Sequence, residues 1–126
     1  MLKNIVRAIL ALQGAIALLI AAQTFIQPDK LAEQLGYALI GDLGVSSFRA
    51  DIGGFFAMSG LFMLLAAWRA DRQFILPPLV LVGLALAARL ATMAETGFVP
   101  EVVQPIAVEA VTAVTLLIGY ALFRRG

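Results

Sequence analysis

The sequence predicts an all-α integral membrane four-helix bundle with both termini in the cytoplasm and a short interfacial helix in the first outer loop. Three observations predict it. The first is composition: 62% of the 126 residues are hydrophobic and only 13% are charged, with a mean hydropathy of +0.97. A soluble domain is about half apolar and about a quarter charged, so this surface must be covered by lipid. The second is four apolar segments, each near the ~20 residues needed to cross a ~30 Å hydrocarbon core. The third is the alternation of basic residues between the ends of those segments.

The spans fall at about 5–26, 47–68, 74–95 and 102–123, within one domain covering residues 1–126. Backbone polar groups must be satisfied within each span, which makes the spans helices. The first is read as a retained span, because its apolar run exceeds a signal-peptide core. The turn formers Pro28, Gly36, Gly41, Gly44, Gly97 and Pro100 lie in the connections. Six basic residues, Lys3, Arg7, Arg69, Arg72, Arg124 and Arg125, flank one set of ends. The 27–46 loop holds only Lys30, against Asp29, Glu33 and Asp42, and the 96–101 loop holds only Glu101. The positive-inside rule therefore places both termini and the 69–73 loop in the cytoplasm of a multi-pass protein, expected in the bacterial inner (plasma) membrane. In the long outer loop, Pro28 suits a first helical position. Leu31, Leu35 and Leu39 recur every fourth residue beside Asp29, Lys30, Glu33 and Gln34. That pattern suits a short amphipathic helix in the interface, ended by Gly36 and anchored by Tyr37.

Composition also excludes function classes. With no Cys and no His, disulfides, thiolate nucleophiles, iron–sulfur clusters, structural zinc and His-ligated haem are ruled out. No metal site, cofactor or catalytic residue is assigned. A net charge of +1, without a basic run, gives no reason to expect nucleic acid.

Charges inside spans are costly and normally face the bundle interior or water, where they find partners. Arg49 and Asp51 lie at the outer end of the second span, and Glu95 ends the third at the same level. Arg89 precedes Glu95 by six residues and is ~9 Å deeper; Glu109 follows Glu101 by eight and is ~12 Å deeper. Similar depth on spans joined by a short loop predicts an Arg89–Glu109 pair. Arg49 shares a face with Gly53, Phe56 and Gly60 and is expected to point inward. Asp51 is expected to serve early backbone donors after a Ser46 or Ser47 cap. Gln23 and Thr24 lie at the level of this group. Gly53, Gly54, Ala57 and Gly60 form a small-residue stripe that permits close helix packing. Trp68 and Tyr120 suit interface anchors.

These residues carry a resemblance. The run Phe48-Arg49-Ala50-Asp51-Ile52-Gly53-Gly54-Phe55-Phe56, Arg89 followed by Glu95-Thr96-Gly97, and Glu109 resemble the pattern of a family of small bacterial four-helix membrane proteins. That family is classed as a domain of unknown function near the DoxX-like proteins. The resemblance spans nearly the whole chain and implies the same fold, with Arg49, Arg89, Glu95 and Glu109 as a polar centre. It implies no reaction.

Three functions stay open. An outward-facing polar pocket, with Arg49, Arg89, Glu95, Glu109 and Gln23 as its polar centre, could bind a lipid or quinone-like amphiphile, alone or as an accessory of a membrane complex. The charges could instead lock helices in a structural subunit, a homo-oligomer or a complex with a membrane protein partner. A buried Glu109 or Glu95 could act as acid or base in an enzyme. Binding is ranked first because no His, Cys or clear nucleophile is present.

Overall fold

The computed structural model describes residues 1–124; Arg125, one of the six flanking bases, lies outside the described residues. Five helices are present, with no strand among the described residues: α1 (Leu2–Ile26), α2 (Pro28–Gln34), α3 (Gly41–Arg69), α4 (Leu76–Thr96) and α5 (Val103–Leu122). Four of them, all but α2, belong to helical segments long and apolar enough to cross a membrane. Short 3-10 turns, Arg72–Phe74 and Pro100–Val102, lead into α4 and α5.

α1 and α3 form the closest pair, because two glycines remove the side chains between them. A Cβ on Gly60 would sit 2.7 Å from the Gly14 carbonyl oxygen, and one on Gly14 would sit 2.9 Å from that of Gly60. Seven residues from that contact, the Arg7 guanidinium donates to the carbonyls of Ala67 (2.6 Å) and Trp68 (3.0 Å). It thereby satisfies carbonyls that the end of α3 leaves open. The two contacts fix the antiparallel register of α1 on α3. Ala70, left-handed at φ 49°, ends α3.

The dense core lies toward this basic end. Val6, Leu10, Met63, Ala66, Ile75, Leu116 and Phe123 are buried together. Asp71 is also buried there, accepting from the Gln73 backbone N–H (3.0 Å) and side-chain amide (3.3 Å). Arg72 lies over the Tyr120 ring, 4.6 Å from its centroid.

The short helix expected in this loop exists, with Pro28 at its first position and Gly36, at φ +83°, ending it. It is docked rather than free: Leu31 and Ala32 are buried against Phe48, Ile20, Leu35 and Ile52. The largest boundary difference is in α3, which begins at Gly41, six residues earlier than the expected 47. The chain leaves an extended Ile40 and turns directly into helix, with the Gly44 N–H donating to the Ile40 carbonyl at 2.9 Å. Ser46 and Ser47 are therefore inside the helix and cap nothing.

Candidate functional site

α1 and α5 touch at the basic end, where a Cβ on Gly119 would meet Val6 and Leu10 at 3.5 and 3.6 Å. Toward the other end they bound a cleft of about 920 Å³. α2 walls one side of its mouth through Leu31 and Gln34, with Leu35 just past its end. Val82 of α4 forms part of the floor, buried at 5% exposure. The walls are mostly aliphatic and aromatic, with Phe55 and Phe56 packed edge to face at 5.2 Å.

Polar groups enter this apolar cleft at three levels. Gln23, Gln34, Glu101 and Gln104 surround the mouth. Farther in is the Glu109 carboxylate, whose two oxygens accept from Arg89 Nε at 2.9 and 3.0 Å. The pair is the one that equal depth predicts, and it ties α5 to α4. The Glu109 side chain is only 14% exposed, while that of Arg89 is 37% exposed. Deepest are Gln13 and Ser59. Ser59 is 2% exposed, and its Oγ has no partner, nor does the buried Gln13 Oε1. Buried polar atoms are nearly always hydrogen-bonded. Both residues belong to the cleft lining, but neither oxygen is within reach of a water-sized molecule in the cleft. Thr112 lines the cleft as well, but its hydroxyl donates back to the Val108 carbonyl at 2.8 Å.

The residues that the sequence singles out divide. Glu109 and Gln23 line the cleft, and Arg89 is bonded to it from behind. Arg49 does not line it. Its guanidinium lies over the Phe25 ring, 4.6 Å from the centroid, and its buried Nε has no partner. The reason is angular: Arg49 opens a π-helical turn, Arg49–Gly53, which shifts the face that regular helical spacing would assign. Glu95 and Asp51 are exposed, and among the described residues neither side chain has a hydrogen-bond or ion-pair partner. Of the proposed packing glycines, Gly60 sits in the tightest contact, Gly53 makes ordinary contact with Thr24 at 3.5 Å, and Gly54 faces open space.

Gln13 and Ser59 are cleft residues that the pattern of charges does not reveal. A lone uncharged polar residue at mid-span is a weak signal. Two of them on different spans at equal depth are a stronger one. Two other depressions hold less chemistry: an apolar groove of 530 Å³ beside Arg7 and Trp68, and one of 260 Å³ beside Arg89 and Thr96. No group of His, Cys, Asp and Glu able to hold a metal ion occurs among the described residues. No family model matches the chain, nor does any curated protein or solved structure.

Proposed function

We propose that the chain is a multi-pass protein of the bacterial inner membrane that binds a small amphipathic molecule in the cleft between α1, α2, α3 and α5. The single observation that carries this reading is a large cleft with mostly apolar walls and with Gln23, Gln34, Glu101 and Gln104 among its lining. A mostly apolar concave site with a few polar groups is what a small amphipathic ligand needs. The walls suit a hydrocarbon tail. Lys3, Arg7, Arg69, Arg72 and Arg124 gather at the closed end. That asymmetry supports a cytoplasmic closed end with both termini, and a mouth that opens outward. The motif around Arg49, with Arg89, Glu95-Thr96-Gly97 and Glu109, supports kinship with the small four-helix proteins near the DoxX-like group.

The ion pair favours a second role for its own two residues. Arg89 and Glu109 bind each other rather than leaving charge free, as a lock between α4 and α5 would require. The two roles are compatible.

The test is the amphiphile composition of protein extracted in native lipid discs, comparing the parent chain with Ala107→Trp. Ala107 is an exposed residue of the cleft lining, so the indole fills the cleft without entering the core. The expected result is one amphiphile enriched over bulk lipid in the parent and lost from the variant. Bulk composition in both would refute binding.

A further inference from the structure

The basic end carries a groove that shares no residue with the cleft. It is the 530 Å³ depression between α1 and α3, with Arg7, Ala8 and Ala11 on one side and Leu61, Ala67 and Trp68 on the other. We propose that this groove seats one acyl chain of an anionic phospholipid, whose phosphate lies between Arg7 and Arg69. The site is independent of whatever occupies the cleft.

Small residues give the groove its shape. α1 and α3 touch where Gly14 meets Gly60, and they are tied again where Arg7 reaches the end of α3. Between those two points α1 contributes Ala8 and Ala11 to the lining, side chains too short to fill the space between two helices. Leu61 to Trp68 is seven residues, so the groove extends ~10 Å inward from the end of α3. Half of a ~30 Å hydrocarbon core is ~15 Å. A chain of one leaflet therefore lies along most of its length in the groove.

Charge selects the head. Arg7 is the one charged residue of the lining. Its Nε and Nη2 donate to backbone carbonyls, which are neutral, so its positive charge is not cancelled and Nη1 is left for another acceptor. The Arg69 guanidinium lies over the Trp68 ring, 5.7 Å from the centroid, and so stands at the same rim. Neither arginine forms an ion pair among the described residues, where Arg89 and Glu109 make the only one. Lys3, Arg72 and Arg124 add to the positive charge of this end. Its one acidic side chain among the described residues, Asp71, is buried and bonded to Gln73. Guanidinium donors suit a phosphate. Trp68, 70% exposed, suits the head-group level, where indoles anchor.

Other occupants fit less well. A zwitterionic head brings its own cation toward the two arginines. A symmetric second copy would set the same groove against itself, with the same arginines facing each other and nothing negative between them.

The experiment is native mass spectrometry of the full-length chain released from vesicles of phosphatidylglycerol and phosphatidylcholine, mixed equally and with identical acyl chains. One phosphatidylglycerol is expected to be retained roughly tenfold over phosphatidylcholine. Ala8→Trp changes no charge and fills the groove from an exposed position; it should lower that retention at least about fivefold. Arg69→Gln leaves the Arg7 bonds and the groove in place. It should lower phosphatidylglycerol retention about three- to fivefold and leave phosphatidylcholine within about twofold. Both variants change exposed side chains, so the bundle stays folded. Equal retention of the two lipids overturns the proposal. So does a preference that Ala8→Trp leaves intact, which would mean that the basic end attracts anionic lipid without a seat for it. Displacement of the lipid by glycerol 3-phosphate would show that the acyl chain contributes nothing, and would overturn it too. A dimer that Ala8→Trp dissolves, with no lipid retained, would assign the groove to a second copy instead. Ala107→Trp leaves this groove untouched, so phosphatidylglycerol should persist in the variant that empties the cleft, and the two sites stand or fall separately.

Discussion

The two halves of the bundle are built from the same four long helices and behave as different materials. At the basic end α1 and α5 meet at Gly119, α1 and α3 meet at Gly14 and Gly60, and Leu10, Ala66, Ile75 and Leu116 are completely buried. At the α2 end the same helices part around a cleft, and α5 is held by an ion pair to α4 instead of by contact with α1. Apolar residues are plentiful in both halves. What differs is where small residues let backbones approach, which is how helices associate when lipid is as apolar as the side chains. Buried polar atoms go unpaired in both halves, Gln13 Oε1 and Ser59 Oγ beside the cleft and Arg72 Nε at the basic end.

The sharpest way to break this contrast is at the glycine contact. Gly60→Val drives a branched side chain into the Gly14 backbone and should cost about 3 kcal/mol or more, or prevent assembly, as read by unfolding in mixed micelles. Gly54→Ala, in open space six residues away, should stay within about 0.5 kcal/mol of the parent and tend to stabilise the helix. Similar losses for both would erase the distinction.

Next in size is the ion pair. Arg89→Ala leaves the largely buried Glu109 carboxylate alone and should cost about 2 kcal/mol, discounted because Arg89 is partly exposed. The double variant Arg89→Met, Glu109→Leu should regain most of that loss in the same unfolding assay. A double variant as unstable as the single one would show that the charges do more than lock helices.

Arg7→Ala removes two hydrogen bonds to the carbonyls at the end of α3 and should cost about 1 kcal/mol. Faster hydrogen exchange at Ala70, whose N–H donates to the Ala66 carbonyl, would locate the effect. Smallest, and opposite in sign, is Ser59→Ala. Removing an unpartnered hydroxyl should leave stability unchanged or raise it by up to about 1 kcal/mol in ligand-free protein. A loss above that would mean that the hydroxyl has a structural partner.

Much of this architecture is legible in the amino-acid sequence. Length and hydropathy mark the spans, Pro28 and Gly36 mark α2, and counting residues from the span ends puts Arg89 opposite Glu109. Three features are not legible there. The start of α3 at Gly41 has no side-chain cap, so residues 41–46 read as loop. The direction of Arg49 depends on a π turn, and a pattern that assumes regular helix spacing misplaces it. Gln13 and Ser59 are brought to one level by the Gly14–Gly60 contact, whose α1 half is hidden in an apolar run.

The most direct test of an open half joined to a closed one is thiol accessibility, since the chain has no cysteine of its own. Ala107→Cys and Gln13→Cys lie in the cleft lining at exposed and half-buried positions, and Ala66→Cys lies in the dense core at 0% exposure. In membranes, a small permeant maleimide should label the first two and spare the third. Three equally unreactive thiols would mean that no cleft opens between α1 and α5.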